Sequence, residues 1–212
     1  VIGIFAGKSF ACAEVKRSSV VVVDKEAPGI VKIGLAVAVL IGNDLCHGKE
    51  LIHWSERDGW AHLYLYDDKG NLKNRITKGP WHVEEILKVD EKNRTVYFTA
   101  NGYNEGENPY YSHLFSIGYD GKGLKQLDKG DLNGRFSVVE GGNMFIANSS
   151  RVDTVPTSIL YSASGKQLAH LETADLSRLF DAGYKYPERF KVKAADGITA
   201  LYGVMYKPFD FD

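Results

Sequence analysis

Adjacent carboxylates at Glu84 and Glu85 are the residues with the most direct chemical use in this 212-residue chain, since two neighbouring anions can hold an ammonium group. They open a strand-like run, however, and successive strand side chains point to opposite faces. The pair therefore reads as a solvent-facing strand pair. Ser149, Ser150, Arg151 and Asp153 contain a nucleophile type and a carboxylate. Without a G-x-S-x-G elbow, found nowhere in the chain, and without a positioned His, they read as turn residues. The six histidines, His47, His53, His62, His82, His113 and His170, show no metal-ligand spacing. Asp67, Asp68, Asn71 and Asp120 imitate calcium-loop ligands but lack the D-x-D-x-D-G spacing and the distal Glu, so hairpin turns account for them better. Arg57 and Asp58 read as a turn pair. Trp81, Tyr110 and Tyr111 read as strand packing rather than the lining of a peptide funnel. The sequence nominates no catalytic, cofactor-binding or metal-binding residue, and no cofactor.

His62 and His113 do share something: they occupy equivalent places in a repeat. HLYLYDDKGNL (62–72) reads as strand, polar turn and strand. HLFSIGYDGKGL begins 51 residues later at His113, and SILYSASGKQL a further 45 residues on at Ser158. Equivalent positions argue for a structural histidine, half-buried and bonded to a neighbouring blade. Repeats of that length with several short strands point to β-propeller blades. The first unit (50–79) gives three strands, at 50–54, 60–66 and 72–77, with turns at SERDG and DDKGN. The second gives four, at 81–89, 94–100, 111–118 and 124–127, with a polar, Gly-rich loop at 101–110 expected to project from one face. The third gives four more, at 135–139, 143–148, 157–162 and 167–171.

Beyond residue 171 the pattern changes. TADLSRLF (173–180) offers Thr173 as an N-cap and Leu176, Leu179 and Phe180 on one face of a short helix, with Gly183 past its end. Residues 188–193 and 198–207, separated by the AADG turn, alternate as a hairpin. Residues 1–48 carry no blade signature and stay unassigned, as degenerate strands or a buried apolar segment. The expected architecture is all-β: a partial β-propeller of about three four-stranded antiparallel blades over 49–172, then one short helix and a terminal hairpin over 173–212.

Composition limits the function classes. Lys plus Arg number 26 against 27 Asp plus Glu, which argues against a nucleic-acid partner. The longest apolar run, IGLAVAVLI (33–41), is about half of the roughly 20 residues that a bilayer helix needs. Cys12 and Cys46 fit a disulfide or two buried thiols equally well. Asn93 and Asn148 head glycosylation sequons, which matter only in a secretory eukaryote. A chain that begins at Val1 and ends KPFDFD reads as a segment of something longer.

WSERDGWAHLYLYD (54–67) followed by RITKGPWHV (75–83) strongly resembles the propeller of dipeptidyl peptidase IV-type enzymes in the prolyl oligopeptidase family. SRVDTVPTSILYSASGKQL (150–168) resembles that family's last blade. PERFKVKAADGITALYGVMYKPFDFD (187–212) is similar to the segment that leaves the propeller and starts an α/β-hydrolase domain. The resemblance covers residues 49–212 and does not extend over 1–48. It implies a periplasmic or extracellular serine-type exopeptidase that releases Xaa-Pro or Xaa-Ala dipeptides from peptide N-termini. Such an enzyme uses a hydrolase-domain triad and oxyanion Tyr, and a propeller Glu pair that holds the substrate ammonium. The triad and the Tyr have no counterpart in these 212 residues, and Glu84-Glu85 stands in the wrong context for the ammonium pair. The implied partners are a peptide substrate and the hydrolase domain of the same polypeptide, with this chain a non-catalytic wall of the enzyme. Three blades leave open edges, to be covered, closed by residues 1–48, or paired in a homodimer. From another class, a stand-alone propeller-like module binding a peptide or protein through loop 101–110 is the alternative.

Overall fold

Strands with two buried faces read as near-continuous apolar runs, and HLYLYD, TVYFTAN and SHLFSIG are such runs. In a computed structural model, which describes residues 45–47, 50–208 and 210–211, each lies inside a four-stranded antiparallel sheet. The first blade comprises β1 (Leu45–His47), β2 (Glu50–Ser55), β3 (His62–Asp67) and β4 (Leu72–Arg75). The second comprises β5 (His82–Asp90), β6 (Thr95–Asn101), β7 (Ser112–Gly118) and β8 (Lys125–Gln126). The third comprises β9 (Asn133–Val138), β10 (Met144–Ser150), β11 (Thr157–Ser162) and β12 (Gln167–Thr173). Strand order follows chain order in all three, so each blade is a simple meander. The first blade therefore has four strands, its first one drawn from residues 1–48, which carry no blade signature. Cys12 lies outside the described residues, as does the Cys46 side chain, and with them the question of their pairing.

Period-two alternation distributes the core. On β6, Val96, Phe98 and Ala100 face the first blade and pack with Leu63, Leu65 and Ile52. Tyr97, between them, faces the other way and joins Leu114, Leu127 and Phe145 against the third blade. The middle blade is thus covered on both sides, and Phe98, Leu114 and Phe115 have no exposed surface. Trp81 closes the first interface. Its indole stacks 6.2 Å from Phe98 and 6.3 Å from Phe115, with His62 edge-on at 5.0 Å. A Cβ on Gly79 (φ +137°) would run into that indole, which explains the glycine in TKGPW. Trp54 adds a directed link, its Nε1 donating to the Val83 carbonyl at 2.7 Å.

The turns behave as their residues require. Asp67 accepts the Lys69 and Asn71 amides, and Asp90 accepts the Asn93 amide. At the chain end the helix is shorter than its sequence suggests. Thr173 is the last residue of β12, and α1 spans only Ser177–Asp181. Strand pairing with Thr157 holds Thr173, so it cannot cap; Asp175 Oδ1 instead accepts the Ser177 amide at 2.9 Å. Gly183 (φ +90°) ends the helix as expected, its amide bonded to the Phe180 carbonyl. The terminal hairpin pairs β13 (Glu188–Lys193) with β14 (Ala200–Met205).

Gly121 (φ +77°) sits where a Cβ would come within 3.0 Å of the Ile76 carbonyl oxygen on the first blade; Gly106 (φ +80°) has open space. In chemical denaturation, Gly121→Ala should lose more stability than Gly106→Ala, which carries only the positive-φ penalty of about 1 kcal/mol. Phe98→Ala should lose about 3–5 kcal/mol. Equal losses for the two glycines would mean that the first and second blades do not meet at this turn.

Candidate functional site

A four-stranded meander places alternate connections at opposite ends, and this sorts the chain into two faces. Short turns (67–71, 90–94, 118–123, 139–143 and 162–166) lie at one end. The 55–61 turn, loop 101–111, segment 150–156, the links between blades and the exit after β12 all lie at the other. Long, polar connections on a rigid scaffold are the usual carriers of function, so this exit face is the candidate site.

The two equivalent histidines brace that face from below. His62, fully buried, places Nδ1 2.9 Å from Thr77 Oγ1 and Nε2 3.0 Å from the Gly79 carbonyl. Thr77 Oγ1 also accepts the Leu63 amide. His113, 2% exposed, places Nδ1 2.7 Å from Asp128 Oδ2, and Asp128 Oδ1 accepts the Leu114 amide. Both contacts span fifteen residues, from the third strand to the residues that leave the blade. The expectation of half-buried histidines bonded to a neighbouring blade is corrected: they are buried and fasten their own blade to its outgoing link. The signal was present in TKG (77–79) and DKG (128–130), which stand 51 residues apart like the histidines. In the third blade Ser158 replaces the His, and its hydroxyl donates to Asn148 Oδ1 instead.

Their electrostatics differ. Burial lowers the His62 pKa and outweighs the hydrogen bond to Gly79. Burial acts the same way on His113, but the hydrogen bond and charge of Asp128, reinforced by Glu107, overcome it and leave the pKa raised. His62 therefore contributes stability above its unfolded value, near 6.5, and loses it as pH falls; His113 contributes below that value and loses it as pH rises through its folded pKa.

The other sequence candidates are dispersed. Glu84 is half-buried at a bulge, where its carboxylate accepts from Asn101 Nδ2 at 3.0 Å and from the Ser112 hydroxyl; Glu85 alone is exposed. The two do not form a joint ammonium site. Asp58 accepts the Tyr64 hydroxyl at 2.6 Å and pairs with Arg75 at 2.8 Å. Burial and the Asp58 hydrogen bond push the Tyr64 pKa to about 12. Arg57 stacks 4.3 Å over the Tyr64 ring, so Asp58 takes Arg75 as its partner rather than Arg57. Trp81 packs as expected, whereas Tyr110 stands 72% exposed on the rim. Among the described residues no group of three or more His, Cys, Asp or Glu side chains could hold a metal ion.

Ser149 and Ser150 end β10, while Arg151 and Asp153 belong to a charged latch with no local sequence signature. Arg151 donates to the Asp131 carbonyl and carboxylate and to Asp153 Oδ1; Arg189 on β13 donates to Asp153 Oδ2 at 2.9 Å and lies 3.7 Å from Asp131. The latch ties the exit hairpin to the blade. Each half-exposed pair contributes about 0.2–1 kcal/mol. Arg189→Ala should accordingly leave global stability within about 1 kcal/mol while speeding amide exchange across Glu188–Met205, an effect reproduced by high salt in the unsubstituted chain. Unchanged hairpin exchange would show that the latch does not hold it.

The comparisons with known proteins fit this geometry. The family profile described as the dipeptidyl peptidase IV (DPP IV) N-terminal region matches residues 8–156, starting well before residue 49, where the sequence resemblance was placed. Dipeptidyl peptidase 4 of Trichophyton rubrum is 36% identical over 168 residues, 75% of this chain and 20% of that protein. Its counterpart in Arthroderma otae is 36% identical over 124 residues, 57% of this chain and 15% of that protein. Among solved structures, Porphyromonas gingivalis dipeptidyl peptidase 4 aligns with a TM-score of 0.64 at 26% identity, covering 79% of this chain and 23% of that one. A putative dipeptidyl aminopeptidase IV from Bacteroides ovatus gives 0.59 at 27%, covering 77% and 25%. The chain spans about a fifth of the length of the first of these relatives. Three stacked blades, open rather than closed into a ring, and a profile match over most of the chain place this protein in the family of dipeptidyl peptidase IV N-terminal regions.

Proposed function

We infer that this chain is the non-catalytic propeller portion of a serine-type dipeptidyl peptidase, in which it restricts peptide access and supports an α/β-hydrolase domain of the same polypeptide. The observation that carries the reading is the exit face. The long loops and the outgoing chain share one end of the blades, and the latch of Asp131, Arg151, Asp153 and Arg189 fastens the exit hairpin there, which supports reading that hairpin as the link to a hydrolase domain. The hairpin is built to receive that module. Phe190 and Val192 on β13 share one face with Leu201 and Met205 on β14, all between 41% and 49% exposed, while Arg189, Lys191 and Tyr202 occupy the other. An apolar hairpin face of this kind needs covering, and downstream residues of the same polypeptide are the occupant that the family relationship supplies.

The substrate is a peptide carrying Pro or Ala in the second position, and the compartment is periplasmic or extracellular; both rest on the family relationship. Pairing into a homodimer through open blade edges belongs to the same proposal. Catalysis requires a nucleophile elbow that these 212 residues do not contain.

The polypeptide carrying this segment, purified from its source, should release dipeptide from a Gly-Pro chromogenic substrate, and the 212-residue chain alone should not. Absence of turnover by the longer polypeptide would overturn the peptidase reading. Turnover by the pure short chain would overturn its non-catalytic role.

A further inference from the structure

The loop at residues 101–110 is the longest connection on the exit face, and what holds it is unlike anything in the first blade. At the matching place there, His62 needs only one ring proton: Nε2–H donates to the Gly79 carbonyl, and Nδ1 accepts from the Thr77 hydroxyl. His113 instead lies between two carboxylates, with Asp128 Oδ2 at 2.7 Å on Nδ1 and Glu107 Oε1 at 2.9 Å on Nε2. Ionised carboxylates only accept, so both ring nitrogens must carry hydrogen. The trio therefore holds one proton more than two carboxylates and a neutral imidazole would.

The two arms are not equally fixed. Asp128 is anchored by the Leu114 backbone amide through its other oxygen, whereas Glu107 belongs to the loop and its second oxygen, among the described residues, accepts only from Asn104 of the same loop. Removing the extra proton sets a nitrogen lone pair against a carboxylate in a buried site, where an unpaired charge is expensive. The arm free to leave is Glu107.

We propose that Glu107, His113 and Asp128 form a proton-dependent clasp that keeps loop 101–110 down on the exit face and releases it when His113 loses its proton. Other groups around the clasp leave its sense intact. Tyr161 on β11 is the ionisable group of the third blade that senses Asp128, and it is neutral throughout the range concerned, since burial and Asp128 raise its pKa. Glu105, Lys129 and Asp131 line the neighbouring cleft of about 560 Å³, where Asp131 is already committed to Arg151. Within the second blade, Glu84 is engaged by Asn101 and Ser112. The loop carries Tyr110 at its exposed end, and Tyr111 beside it hydrogen-bonds Arg189 of the exit hairpin. Release would therefore loosen the rim where the chain leaves the blades.

The sign follows from the preference of the closed loop for the protonated trio. The loop is most firmly closed below the pKa that His113 has once Glu107 has left. Its opening equilibrium then rises by up to about tenfold per pH unit until the closed-state pKa is passed. The test uses the 212-residue chain with labelled histidine, following the His113 and His62 ring nitrogens by NMR from pH 5 to 9. Amide protection at residues 102–111, corrected for intrinsic exchange, is measured alongside. The expected result is a His113 ring that stays doubly protonated to a higher pH than His62, with loop protection falling as His113 titrates while protection in the 162–166 turn stays flat. Glu107→Gln should lower the His113 pKa and abolish the slope. A His113 already neutral at pH 6, loop protection independent of pH, or a wild-type slope in Glu107→Gln would each overturn the clasp. If that variant fails to fold, the ring titration of the unsubstituted chain decides alone.

Discussion

Burial of the middle blade on both of its faces is the constraint on which the rest of the structure depends. A four-stranded meander has two faces and cannot bury either alone, so a blade is stable only between neighbours. Alternation along β6 sends Phe98 to one neighbour and Tyr97 to the other, and β7 does the same with Phe115 and Leu114. Each fully buried side chain of this size contributes about 1.5–3 kcal/mol, so these two strands carry a disproportionate share of the folding free energy. The flanking blades are stable largely through what they lend to the middle one. The outer strands show it: β12 is almost wholly exposed, and β8 is only two residues long.

The same stacking builds the functional face. Because strand order follows chain order in every blade, all long connections emerge at one end, and each outgoing link must be fastened before the next blade begins. A buried histidine does this twice. In the first blade it is neutral and serves a hydroxyl and a carbonyl; in the second the link offers Asp128 in place of Thr77, and the long loop brings Glu107. One structural device thus acquires charge, and with charge a dependence on pH. In the third blade the histidine is absent, and a solvent-facing arginine–aspartate latch fastens the hairpin instead.

Much of this was legible in the sequence because it is repetitive. The 51-residue offset between His62 and His113 located the middle strands and their turns to within a residue or two, and the segments with Asp or Asn at turn ends fell where side-chain hydrogen bonds require. Four things were not legible. β1 is three residues long and lies in a stretch whose alanines and valines suit helix as well as strand, so periodicity could not reveal it. Thr173 has a good capping side chain, yet strand pairing claimed it first. The latch joins residues 131, 151, 153 and 189, which no spacing rule connects, and only the return of the chain to the blade brings them together. Histidine protonation was likewise hidden, because it depends on Glu107 and Asp128 rather than on the histidines themselves.

Site-resolved hydrogen exchange on the intact chain tests the central claim most directly. If the middle blade is the keystone, the slowest amides lie in β6 and β7 and exchange only through global unfolding, with β3 and β10 close behind and β12 and the terminal hairpin far faster. Slowest exchange in the third blade or the hairpin, or uniform exchange across all three blades, would contradict it.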